Sequence, residues 1–170
     1  MTDVNSPAGE VVELEPQPTA AVRIQQPMGE LDLAAAFDRY LPMVAERITA
    51  EGSGIRGPSY GRYHQFGPDV VDVEIGFPVA TRPSGIAPLA SVQSGEVGLS
   101  ELPGGPAAKA VHFGTYDGLP ATYDALHDWI HAQPGYDDGP GPWESYVDMP
   151  SDMTDPSKVR TEIIWPLVLA

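Results

Sequence analysis

Glu74-Ile75 with Pro78 recurs as Glu162-Ile163 with Pro166, at an offset of 88 residues in both places (74 to 162, 78 to 166). Leu31 and Leu119, each at the head of a helical apolar pattern, stand the same 88 apart (31 to 119). Gly57-Pro58 returns as Gly141-Pro142 at an offset of 84 (57 to 141). A chain that repeats its landmarks in order folds one supersecondary unit twice. This limits the topologies more than any other feature. The expected unit is two strands, a helix and two strands.

The local patterns agree. Val11-Val12-Glu13-Leu14 and Ala20-Ala21-Val22-Arg23-Ile24 read as short strands separated by the breaker Pro16-Gln17-Pro18. From Leu31 to about Glu51 the period lengthens: Leu33, Phe37, Leu41, Val44 and Ile48 mark an amphipathic helix. A kink or break is expected at Pro42, and an end at Gly52 and Gly54. Strand chemistry returns at Gly57–His64 and at Val71–Val79, where five apolar residues alternate with Asp72 and Glu74. Residues 81–95 read as a loop. The second half gives strands at Gly98–Leu102 and Lys109–Phe113, then a helix with Asp117 as N-cap and Pro120 in its first turn. That helix shows the stripe Leu119, Tyr123, Leu126, Ile130. A loop over Pro134–Pro142 leads to Trp143–Tyr146, and the last strand covers Thr161–Val168.

These elements imply an α+β fold. Duplicated ββαββ-type modules form an eight-stranded antiparallel curved sheet, with two helices on one face and a pocket between the halves. Residues 1–9 read as a disordered tail, and 10–170 as a single domain with pseudo-repeats near 10–82 and 96–169.

Composition narrows the function. With nine Lys plus Arg against 24 Asp plus Glu, the net charge is −15, which repels phosphate backbones and argues against direct nucleic-acid binding. The absence of Cys excludes disulfides, thiolate metal sites and a Cys nucleophile. The N-terminus has no signal-peptide pattern and no apolar run is long enough to span a bilayer, so a cytoplasmic location without membrane contact is expected.

If the apolar alternates pack on the helices, their neighbours reach the opposite face. That sorting places Arg23, Tyr60, Glu74, Ala110, His112, Gly114, Glu144, Tyr146 and Glu162 there, with Tyr116 at its strand end. Matching Gly57-Pro58 to Gly141-Pro142 sets Tyr60 where Glu144 stands. A carboxylate walled by rings suits an apolar small molecule, and it also accommodates a cationic one, to which each ring adds a cation–π attraction of ~0.5–2 kcal/mol. The same Glu, desolvated beside a phenol, has the makings of a general acid or base. On residue pattern alone, a merely solvated polar sheet face is an equal alternative.

The order of Gly57-Pro58-x-Tyr60, Asp72-Val73-Glu74 to Pro78-Val79, Leu102-Pro103-Gly104-Gly105, His112-x-Gly114-x-Tyr116, Trp143-Glu144-x-Tyr146 and Thr161-Glu162-Ile163 to Pro166-Leu167 resembles a known family. It is that of the GyrI-like small-molecule-binding domains, the effector-binding domains of AraC- and MerR-type multidrug regulators. The resemblance covers about residues 10–169. It implies a duplicated βαββ-type module with a hydrophobic pocket between the halves, and a buried acid, here matching Glu144, that meets the ligand. It also implies an alternative, because some stand-alone members resemble hydrolases of strained cyclopropane-bearing compounds. There the residues matching Glu144 and a tyrosine, Tyr116 or Tyr146, would be catalytic. A third alternative is a protein-interaction module that modulates a partner such as DNA gyrase. No helix-turn-helix segment is visible, so a stand-alone binder is expected, with Arg23, Tyr60, Glu74, His112, Tyr116, Glu144, Tyr146 and Glu162 at the ligand and no cofactor.

Other features read more plainly. His127 and His131, four apart with Asp124 and Asp128 nearby, have metal-ligand spacing but no signalled third ligand, so an exposed polar face and no metal centre are expected. Ser145 is expected to point into the core, and no glycine cluster matches a phosphate loop.

Overall fold

The structure is a computed structural model in which residues 9–30, 32–148 and 154–170 are described. Leu31, and the tail expected over 1–9 apart from Gly9, lie outside the described residues. The elements run β1 (Glu10–Leu14), β2 (Gln17–Pro27), α1 (Leu33–Ala50), β3 (Tyr60–Phe66), β4 (Val70–Pro78), β5 (Gly98–Leu102), β6 (Gly105–Phe113), α2 (Leu119–His131), β7 (Tyr136–Asp138), β8 (Trp143–Ser145) and β9 (Arg160–Leu169). The class is α+β, as expected, and the strand pairs are antiparallel.

The chain divides into two compact units. Pro16–Gly104 forms one, and the residues up to Glu15 with Gly105–Ala170 form the other. The first orders its strands β5-β2-β4-β3, and the second β1-β6-β9-β8 with β7 also on β9. These units are not the contiguous stretches 10–82 and 96–169, because each takes one strand from the other stretch. β1 pairs with β6 and β5 with β2. Pro16 and Pro18 explain the exchange. Their fixed φ keeps the backbone extended, so β1 and β2 form no hairpin and find separate partners. What repeats is therefore strand–helix–strand–strand, completed by an exchanged edge strand.

The 88-residue offset survives as register. Ala20 pairs with Phe77 as Ala108 pairs with Trp165, and Arg23 with Glu74 as Val111 with Glu162. In the first unit Val22, Val44, Ile48, Val73, Ile75 and Val79 are fully buried between α1 and one face of the strands. Burying such a side chain stabilises by ~1.5–3 kcal/mol. In the second, Ala108, Ala110, Leu126, Ile130, Ile163 and Leu167 form the matching core under α2.

Both helices depart from the sequence reading in detail. α1 runs through Pro42 without a break. Pro42 lies on the exposed side, while Val44 and Ile48 beyond it pack on the same core as Ala36 before it, and that burial outweighs one lost backbone bond. The helix ends as expected at Gly52, whose φ of 77° lets its amide reach Thr49 O while Ser53 N reaches Ile48 O. For α2 the N-cap is Gly118 and not Asp117, because a 3-10 turn over Tyr116–Gly118 feeds the helix and Thr115 Oγ1 occupies the Asp117 carboxylate. The expected loop over 134–142 contains β7.

Candidate functional site

The register of β8 against β9 decides which way the acid points. Glu144 pairs with Ile163, a core residue under α2, whereas Trp143 and Ser145 pair with Ile164 and Glu162 on the other face. Glu144 therefore faces α2, opposite to expectation, and Ser145 does not point into that core. Gly141-Pro142 is followed directly by Trp143, but Ser59 separates Gly57-Pro58 from Tyr60. One residue fewer reverses the parity of the strand. Tyr60, paired with Gly76, is thus the counterpart of Trp143, paired with Ile164; Glu144 corresponds to Gly61 and not to Tyr60.

Around Glu144, which is 5% exposed, three phenols gather. Tyr146, just past β8, donates to Oε1 at 2.8 Å, and Tyr123, from the apolar stripe of α2, donates to Oε2 at 2.7 Å. The Tyr116 ring meets that of Tyr146 edge-on, with centroids 5.9 Å apart. Burial pushes the Glu144 carboxyl above the ordinary glutamate range, and the two phenol bonds and the charge of His112 offset this only in part. Burial, then the charge of Glu144, also raises the Tyr116 phenol. At 39% exposure Tyr116 is the side of the cluster open to solvent.

His112 also lies on the α2 face and not opposite it, as do Ala110 and Glu144. In its neutral form Nε2–H donates to Thr115 O at 2.8 Å and Nδ1 accepts from Thr122 Oγ1 at 2.7 Å. The cause is the register: His112 pairs with Thr161 in the same row that places Ala110 opposite the core residue Ile163. Thr161, fully buried, has no hydrogen-bond partner for Oγ1 among the described residues. It shares the Glu144 face, two positions along β9 from Ile163.

Glu162 does lie away from α2, in a partly exposed pair with Lys109 (3.3 Å), and so is separated from Glu144 by the thickness of its own sheet. Arg23, Tyr60 and Glu74 gather in the other unit, on the face away from α1. There Thr19 Oγ1 donates to Tyr60 OH at 2.9 Å, Tyr60 donates to Glu74 Oε2, and His64 Nε2 lies 2.9 Å from Oε1. Burial acts upward on Glu74, but the bonds from His64, Tyr60 and Ser100 more than offset it and hold the carboxyl below its ordinary range. Burial and the neighbouring Glu74 charge push the Tyr60 phenol well up. Arg23 instead forks onto Asp72 with two contacts of 2.8 Å.

Two buried acids thus have opposite characters. Glu74 is held below its ordinary range by hydrogen bonds within its own network. Glu144 is short of compensation and close to exposed aromatic surface. The family model of the GyrI-like small molecule binding domain matches residues 9–168.

The chain belongs to that GyrI-like family.

Solved structures carry the same fold. The GyrI-like chain is similar to the EcmrR C-terminal domain at 22% identity and TM-score 0.76, over 95% of this chain and 98% of that one. It is similar to EcmrR in a cryo-EM complex with DNA at 22% identity and TM-score 0.74, over 94% of this chain, and spans only 56% of that protein. It is also similar to SAV2435 bound to tetraphenylphosphonium, at 15% identity and TM-score 0.64, over 94% of this chain and 93% of that one. No curated protein matches. Among the described residues of this GyrI-like domain, no helix is long and apolar enough to cross a membrane.

Sequence reasoning missed Tyr123, Thr161, Thr19 and His64. Tyr123 sits in a helical apolar stripe where its ring reads as core, and only its phenol oxygen hints at a polar partner. The threonines and His64 carry no distinguishing spacing.

Proposed function

We propose that the chain binds an apolar, cationic small molecule beside Glu144, with Tyr116, Tyr123 and Tyr146 as its aromatic surroundings. The observation that carries this reading is a buried carboxyl whose pKa burial raises, clasped by phenols and bordered by a partly exposed tyrosine. A cation brought against it favours the charged form and offsets the cost of its burial, and the ring faces add attraction of ~0.5–2 kcal/mol each. Phenols are neutral donors, so they orient the carboxylate without cancelling its charge. The Thr161 hydroxyl, without a hydrogen-bond partner among the described residues, lies on the same face and is a further polar group for a ligand. Tetraphenylphosphonium, the molecule bound to SAV2435, has this chemistry and is the natural probe.

Titrating tetraphenylphosphonium while following tryptophan fluorescence tests the reading. Saturable binding should weaken about tenfold or more in Glu144→Gln, a loss of ~1.4 kcal/mol. It should weaken less in Tyr146→Phe. Equal affinity in wild type and both variants would falsify the site.

One observation favours a second reading. A carboxyl raised toward neutrality next to phenols is equipped to exchange protons with a ligand and with water, which supports hydrolysis of strained electrophiles with Glu144 and Tyr116 or Tyr146 as catalytic groups. Incubation with cyclopropane-bearing electrophiles, read by mass for added water, separates turnover from binding. Turnover that survives in Glu144→Gln would sink this mechanism.

A further inference from the structure

His127 and His131 lie one turn apart on α2, and β7 brings Asp138 to meet them. The ligand-type atoms of the three residues all lie within 4.8 Å of one another. Asp138 Oδ1 is 2.7 Å from His131 Nε2 and 3.7 Å from His127 Nε2. Two ligands bound to one tetrahedral zinc at ~2.0–2.1 Å stand ~3.3 Å apart, so these separations bracket what a metal would require. The imidazole centroids are 4.3 Å apart. Small rotations of half-exposed side chains close the remaining gap.

A second feature concerns orientation. Asp137 Oδ1 lies 3.4 Å from His131 Nδ1, the ring nitrogen opposite the cluster. His131 Nε2 here donates to Asp138 Oδ1 at 2.7 Å. A metal at Nε2 would displace that proton, and the Asp137 carboxylate would then face the remaining N–H at Nδ1, the arrangement usual behind a metal-bound histidine. Consecutive residues of one strand thus supply an outer partner and a ligand. The alternation of β7 sends Asp137 and Asp138 in different directions, so His131 is addressed on both nitrogens.

We propose that His127 Nε2, His131 Nε2 and Asp138 Oδ1 form a binding site for a divalent transition metal of the zinc class. Two imidazoles and a carboxylate suit such an ion better than magnesium or calcium, which prefer oxygen ligands alone. With three protein ligands, water takes the fourth position. The bound ion ties β7 to α2, so its effect is on the stability of this unit. The sequence offers little competition, with four His and no Cys in the whole chain, and the other two, His64 and His112, are engaged in hydrogen bonds within the protein.

The test uses the full chain, freed of metal with EDTA and exchanged into chelator-free buffer. Zinc chloride is added while calorimetry and thermal melting are recorded. One zinc should bind per chain and raise the melting temperature. His131→Ala and Asp138→Asn should each weaken binding at least about tenfold, and Asp137→Asn about tenfold through loss of the orienting carboxylate. Cobalt chloride should give the visible bands of a four-coordinate centre in the wild type and not in His127→Ala. Melting of each variant without metal reports whether it has folded, and His127→Gln replaces any that has not. Two results overturn the proposal: zinc binding of equal strength in wild type, His131→Ala and Asp138→Asn, or neither heat nor a melting shift in the wild type at millimolar zinc.

Discussion

Tyr123 donates its phenol hydrogen to Oε2 of Glu144 across 2.7 Å, joining α2 to β8. A hydrogen bond to a buried charged group is worth more than a neutral one, and its loss leaves the acceptor desolvated. Tyr123→Phe should therefore destabilise the protein by ~1–3 kcal/mol. The loss should be smaller in a Glu144→Gln background, where the partner carries no charge. Urea denaturation of the four proteins at neutral pH gives the coupling directly. Identical losses in both backgrounds would show that the bond carries no charge-dependent energy.

The two buried glutamates should impose opposite pH slopes. Glu144 has a raised folded pKa, so the native state holds its proton more tightly than the unfolded chain. Its contribution is fully present below the ordinary glutamate value of about 4.3 and declines as pH rises through the raised folded value. Glu74, with a lowered pKa, contributes stability above about 4.3 that is lost as pH falls toward its folded value. Relative to wild type, Glu144→Gln should gain stability as pH rises through its window. Glu74→Gln should show a deficit that deepens from acid and then levels. Stability measured in urea across that range tests both, and parallel slopes would contradict the assignment.

Gly76 on β4 has no room for a side chain. A Cβ there would stand 2.2 Å from Ala20 O and 2.6 Å from Ala21 Cβ, both on the paired strand β2. Backbone cannot yield as a flexible side chain would, so Gly76→Ala should cost about 3 kcal/mol or more. Gly54→Ala is the control: nothing lies within 4 Å of its Cβ, and the substitution should be neutral or slightly stabilising. Thermal melts of the two variants decide it.

Arg23 grips Asp72 through Nε and Nη2, both at 2.8 Å, and these bonds hold the Asp72 carboxyl below its ordinary range. A lysine cannot reproduce that fork. Because Arg23 is half exposed, the pair contributes only about 1 kcal/mol. Arg23→Lys should lose most of that, and the Asp72 carboxyl should move up toward its ordinary value in an NMR titration. An unmoved Asp72 would assign the shift to other causes.

Much of this was legible in the residues. The alternation of Val71, Val73 and Ile75 marked the buried face of β4, and the α1 stripe marked its partner surface. The return of Glu74-Ile75 as Glu162-Ile163 carried through to pairing register. Glu144 and Tyr146 stood out as an acid and a phenol two apart, and they are hydrogen-bonded.

By itself the sequence determined the class of each long element, the duplication and the pairing of Glu144 with Tyr146, because side-chain period and turn chemistry are local properties. The tertiary structure decided which face Glu144 takes, since a single residue between Pro58 and Tyr60 with no counterpart after Pro142 sets the parity of a strand. It also decided which edges β1 and β5 join, and which distant side chains, Tyr123 at Glu144 and Asp138 at His131, complete each cluster. Those outcomes depend on packing between segments far apart in the chain, where no periodicity in either segment records the partner.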